Sequence, residues 1–239
     1  MELINSIREN LTFVAVSLAI TVFMTVIAKI SEKLIGMKKD PTSHTRKITC
    51  IAIFSAIAGV LMILEFPIAF IAPEFYKLDF SELPILILSM AYGPVAGVVA
   101  EFIKVVLKIV IKGTSTAFVG DLANFLVGCF LILPASIIYH IRKSKKSAIV
   151  GLIVGSVSMT IFGSLFNAVY LIPAFANLFG IPLEVIVSMG TAINPRITSV
   201  WSLVAWAVIP FNLMKSVLDS VLTFLLYKKL SPIIHKAHN

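Results

Sequence analysis

The apolar positions of this chain follow neither the alternation of a half-buried strand nor the one-sided stripe of a water-facing helix. They form long runs parted by short polar breaks. A helix rises about 1.5 Å per residue, so roughly 20 apolar residues cover the hydrocarbon of a bilayer. Such runs fall at 11–30, 48–66, 119–141, 148–171 and 199–227, and a shorter pair, 83–93 and 95–111, is split at Gly93-Pro94. The pattern predicts seven helices in lipid, the fifth kinked at Pro134. The 11–30 run is too long and uniform for a signal-peptide core and has no clear small-residue cleavage site, so it reads as a retained helix. No internal repeat is visible, which argues against an inverted-repeat transporter.

Composition fixes the solvent. Apolar residues make up 59% of the chain and charged ones 13%, too little charge for a water-facing surface, and mean hydropathy is +1.01. The formal charge of +8 could suggest nucleic acid, but its distribution does not. It gathers in "KKDPTSHTRK" (38–47), "RKSKK" (142–146), "YKKL" (227–230) and a terminal "HKAH", each flanking an apolar run as cytoplasmic loops do. The expected topology places 36–47, the Gly93-Pro94 turn, 142–147 and the C-terminus inside. The N-terminus, 67–82, 112–120 and 172–198 are then outside. Cys50 and Cys129 both lie in apolar sequence and report neither a disulfide framework nor a zinc site. The chain has no phosphate loop, dinucleotide fingerprint or H-E-x-x-H, so any ATP-driven work needs another chain to hydrolyse the ATP.

Polar residues inside spans become the candidates for chemistry. Asn212, Lys215 and Asp219 share one helical face, and Asn167 lies near the external end of the sixth span. Two readings stay open: a ligand site, or structural glue in which Lys215 pairs with Asp219 and the asparagines bridge helices. Glu101, Lys104 and Lys108 share another face, suited to mutual pairing or to a partner contact. Gly151 and Gly155 form G-x-x-x-G, a close helix contact. Two amides and a lysine facing an aromatic-rich loop suit a planar heterocycle with alternating carbonyl and N–H groups.

The stretch "LDFSELPILILSMAYGPVAGVVAEFIK" (78–104) resembles the signature of membrane-embedded substrate-binding subunits, the S components, of energy-coupling-factor (ECF) transporters. "AIFSA" (52–56) is similar to the A-x-x-x-A of their first helix. "FNAVYLIP" and "PFNLMK" resemble the riboflavin-specific member of that family, and the likeness covers roughly 45–230. The resemblance implies an all-α integral membrane protein with a six-helix S-component core (48–230). To this the chain adds an extra N-terminal transmembrane helix (1–35), a basic cytoplasmic linker (36–47) and a cytoplasmic tail (231–239). It implies no enzyme activity and no cofactor; riboflavin is the transported ligand, with FMN left open. Asn167, Asn212 and Lys215 would hold the flavin, with Phe75, Leu78, Asp79 and Tyr170 beside it. The 67–84 loop would close over it, and Ala52 and Ala56 would dock a transmembrane coupling protein joined to two cytoplasmic ATPases in the cell membrane. An internal contact of Ala52 and Ala56 with the Gly151 and Gly155 face is the alternative reading of that stripe. Competing functions are an S component for another vitamin, a stand-alone transporter using Asp219 or Glu101 as a proton site, and, least supported, an intramembrane enzyme.

Overall fold

Apolar runs too rich in lipid-soluble side chains to end in water fold here as a helical bundle. A computed structural model describes residues 11–37 and 44–235. In order the elements are α1 (Leu11–Leu34), α2 (His44–Ile63), β1 (Phe66–Pro67), β2 (Lys77–Leu78), α3 (Glu82–Tyr92), α4 (Pro94–Lys112), α5 (Val119–Ile141) and α6 (Lys145–Phe166). They continue with α7 (Ile172–Phe179), α8 (Leu183–Thr191), α9 (Val200–Leu203) and α10 (Ile209–His235). Single π-helical turns, Asn167–Leu171 and Val204–Val208, join α6 to α7 and α9 to α10 without a break.

Among the described residues four helices are long and apolar enough to cross a membrane: His44–Ile63, Val119–Ile141, Lys145–Phe179 and Val200–Tyr227. The other two core helices lie where the shorter pair of runs was expected, but for separate reasons neither is both long and apolar enough to be counted with these four. The 11 residues of α3 are too few to cross alone, and α4 carries Glu101, Lys104, Lys108 and Lys112. Gly93 separates them with φ +99° and ψ 169°, a region essentially reserved for glycine, and Pro94 then starts α4 with its ring at a position that needs no N–H partner.

The short α3 is the axis of the bundle. Ile85, Leu86, Ile87, Leu88 and Met90 are buried on all its faces, among α2, α4, α5 and α10. The expected close contact at Gly151 and Gly155 is present on α6. A Cβ at Gly151 would lie 2.6 Å from the Ala135 carbonyl oxygen, and one at Gly155 2.5 Å from that of Leu131, so only glycine lets α6 lie this near α5. These glycines therefore face α5 and not α2. Ala52 and Ala56 are exposed beside Ile53, Ile57 and Val60, which overturns the internal-contact reading of that stripe.

Helix α1 is packed into the fold. Met24 and Ala28 share an apolar cluster with Val98, Val105, Leu122 and Phe125 of α4 and α5. Glu32 Oε1 accepts a hydrogen bond from the Val95 amide at 3.0 Å, satisfying a donor at the positive end of α4. Two other expectations change. Residues 172–198 contain α7 and α8 where a loop was expected, and α10 extends to His235 into the segment read as a tail. Pro134 stands inside the continuous α5. Residues 1–10, 38–43 and 236–239, with the external N-terminus and half of the basic linker, lie outside the described residues.

Candidate functional site

Loop 64–81 leaves α2, pairs with itself through the β1–β2 ladder (Phe66 with Leu78, Pro67 with Lys77), and returns to start α3. Its last turn places Asp79, Ser81 and Glu82 against the middle of α10. Lys215 reaches Asp79 Oδ2 at 2.8 Å and Glu82 Oε2 at 3.2 Å. Asp79 Oδ1 accepts from the Ser81 amide at 2.9 Å, a local turn that fixes the carboxylate. From α4, Lys104 donates to Glu82 Oε1 (3.2 Å), Ser81 Oγ (3.1 Å) and Glu101 Oε1 (2.5 Å). The result is a chain of alternating charge, Glu101–Lys104–Glu82–Lys215–Asp79, in which every member is buried. Removing one partner from such a chain strands the next, at a typical cost of about 3–5 kcal/mol.

Above this chain lies a cavity of about 210 Å³, far more than the roughly 15 Å³ that one water needs on the same measure. One wall holds Asn167, Asn212 and Lys215 with the rings of Tyr76 and Phe211; the facing wall holds Lys108, Asp121 and Asn124 of α4 and α5. Lys108 is bound to Asp121 Oδ1 at 2.7 Å. At the rim Glu65 accepts from Lys112 (2.8 Å) and Lys77 (3.2 Å). Burial alone would raise the Glu65 pKa, but the two ammonium groups outweigh it and hold the carboxyl below its usual range. A larger groove, about 390 Å³, lies between α6 and α10 but is lined by Ile153, Val157, Leu213, Val217 and similar side chains, with almost nothing to orient a polar ligand. The polar cavity is the candidate site. Its amides offer donors and acceptors, its ammonium is neutralised by carboxylates, and its aromatic walls suit a flat ring.

The sequence-derived residues divide here. Asn167, Asn212, Lys215, Asp79 and Phe75 line the cavity. Tyr170 does not, because the π turn that begins at Asn167 carries it outward, where its ring is 44% exposed and stacks on Phe166 at 5.2 Å. Leu78 is buried below the loop in an apolar cluster with Tyr76, Ala207 and Phe211. Lys215 does not bond to Asp219; both Asp219 oxygens are buried without a hydrogen-bond partner. The expected mutual pairing on α4 joins Glu101 to Lys104, whereas Lys108 turns to Asp121. Sequence reasoning missed Tyr76, Glu82, Asp121 and Asn124. Glu82 stood inside the quoted "LDFSELP" stretch, and a lysine buried in lipid demands an acid, so its role was within reach; Asp121 and Asn124 carried no comparable signal.

The bundle, the loop over it and the polar cavity agree with comparison to known proteins: residues 46–227 match the family described as ECF transporter, substrate-specific component. The chain belongs to that family. This S component is 34% identical over 192 residues to the riboflavin transporter FmnP of Bacillus subtilis (strain 168), covering 80% of this chain and 95% of that protein. It is 32% identical over 201 residues to the riboflavin transporter RibU of Staphylococcus aureus (strain TCH60), covering 82% and 96%. A solved S component of a bacterial ECF transporter superposes with a TM-score of 0.63 at 34% identity, over 81% of this chain and 99% of the other. The S component is thus an all-α, multi-pass membrane protein of a transporter family and not an enzyme, and α1 precedes the segment that matches the family.

Proposed function

We propose that this S component is the riboflavin-binding subunit of an ATP-driven ECF uptake transporter in the cell membrane. The observation that carries the reading is convergence: Asn167 from the end of α6 and Asn212 and Lys215 from α10 meet in one cavity, in a chain whose relatives are named riboflavin transporters. The pyrimidine edge of the isoalloxazine, with two carbonyls and an N–H between them, would lie against these three side chains. Phe75 and Phe211 would contact the flat ring, and Asp79 would act by holding Lys215 and the loop in place. Loading would occur from outside through loop 64–81. Release inside would follow when the whole subunit topples in the membrane, driven by two cytoplasmic ATPases through a transmembrane coupling protein. The exposed Ala52 and Ala56 stripe is the docking surface for that protein, since small side chains there admit a close helix approach. With the basic clusters on the cytoplasmic side, the C-terminus and, by alternation, the Gly93-Pro94 turn would be inside, and α1 would be an addition to a six-helix core.

The test is the absorbance spectrum and ligand titration of the purified protein. Co-purified flavin, or quenching of intrinsic fluorescence by riboflavin but not by thiamine or folate, supports the reading. No quenching by riboflavin overturns it, and FMN titrated in parallel decides whether a phosphate is accepted.

A further inference from the structure

The side-chain bond that ties loop 64–81 to Asn167 comes from a residue no motif singled out. The Gly163 carbonyl can only accept, so the group of Asn167 facing it at 2.7 Å is Nδ2. Oδ1 therefore points the other way, to the Tyr76 hydroxyl at 2.9 Å, which must donate. Turning the amide over would set two acceptors together at Gly163 and lose the 2.7 Å bond to its carbonyl. Tyr76 is buried, and burial raises its pKa, which keeps the phenol in its neutral, donating form. Its ring is held independently of its hydroxyl, 4.6 Å from Phe75 and 5.7 Å from Phe211 between ring centroids. Both residues line the cavity, and Asn167 keeps one N–H free of protein acceptors among the described residues.

We infer that Tyr76 is a positioning residue for ligand recognition: its hydroxyl, with the Gly163 carbonyl, locks the Asn167 amide so that its free N–H meets a ring carbonyl of the ligand. This rests on the flavin-site reading above. Loop 64–81 then contributes to selectivity through a hydrogen bond to a bundle residue as well as through the contacts it makes itself.

A double-mutant cycle on the full-length protein in detergent, read by riboflavin Kd, tests this. Tyr76→Phe keeps the ring packing and should weaken riboflavin about 10-fold, the usual scale for one lost buried hydrogen bond. In the Asn167→Leu background, adding Tyr76→Phe should change Kd less than about 2-fold, because the residue it acts through is gone. Cleavage of the loop by protease should stay within about 2-fold of the parent in Tyr76→Phe, since the Asp79–Lys215 and Glu65–Lys77 ties remain. A parent-like Tyr76→Phe, full additivity, or loop cleavage that accelerates in step with the lost affinity overturns the proposal while leaving the flavin site standing. A parent-like Asn167→Leu overturns both.

Discussion

Lys215 shows what side-chain spacing can and cannot reveal. On a helical face its natural partner is Asp219, four residues on, but its carboxylates are Asp79, 136 positions away in sequence, and Glu82. Local periodicity cannot see a partner delivered by a loop from another helix. The asparagines were legible because an amide in an apolar run requires a reason, and the two motifs around them resemble a flavin-binding family. Tyr76 was not, since an aromatic in an aromatic-rich loop draws no attention until its acceptor is known. Two outcomes follow at this scale. Asn167→Leu and Asn212→Leu should insert and fold yet lose about 1–3 kcal/mol of riboflavin affinity, measured by fluorescence quenching; full-strength binding by both would remove them from the site. Lys215→Met should lower thermal stability in detergent, because it strands the buried Asp79 and leaves Glu82 with Lys104 alone. Asp79→Asn should recover much of that loss and Asp219→Asn should not; the reverse pattern of rescue would mean that Asp219 is the true partner.

Element by element, the helices were readable where lipid imposes the pattern and less so where the interior is polar. Runs 48–66, 119–141 and 148–171 reappear within a few residues as α2, α5 and α6 with its π turn. Helix α4 reappears from run 95–111 although Glu101, Lys104 and Lys108 on it are buried in the bundle, and α7 and α8 were hidden in 172–198, a stretch with three prolines and two glycines. The α5–α6 contact offers a direct check: Gly155→Leu would drive a side chain into the Leu131 backbone, and the variant should aggregate or melt well below the parent in a size-exclusion thermal assay. The loop offers another. Glu65 has a lowered pKa in the folded protein, so its tie to Lys77 and Lys112 is fully present above the ordinary carboxylate value of 4.5. The tie fades as pH falls through the lowered one. Cleavage between Phe70 and Phe80 should therefore speed up only in strong acid for the parent and already at neutral pH for Glu65→Gln. Riboflavin should slow it at either pH. Identical rates for parent and Glu65→Gln at neutral pH would show that the rim ion pairs do not hold the loop.

For the whole molecule, the distribution of bulk separates binding from assembly. The cavity is lined from loop 64–81 and from α4, α5, α6 and α10, whereas the Ala52 and Ala56 stripe is on the outward side of α2. Ala52→Trp combined with Ala56→Trp should leave riboflavin binding nearly unchanged while abolishing co-purification with the ATPase module and ATP-dependent uptake. Normal assembly and uptake by the double variant would strip this face of its role. The architecture was legible as a membrane bundle from hydropathy alone. The docking of α1 was not, because it depends on contacts between helices that no single run encodes.

Gly93 carries two independent constraints, and they should separate in a suppressor experiment. Its backbone lies where a side chain is strained, and a Cβ there would also come within 2.6 Å of both Glu32 Oε1 and Met37 Cε. Gly93→Ala thus damages the α3–α4 turn and pushes the end of α1 away from the start of α4. Second-site changes that shorten the intruding groups, Glu32→Ala or Met37→Ala, can relieve only the collision. A screen for restored flavin uptake in a Gly93→Ala strain should return partial revertants at positions 32 and 37 and full revertants only at position 93. The first helix and the residues after it would then have a genetic signature: smaller side chains at positions 32 and 37 are favoured only in a strain that has already lost its glycine.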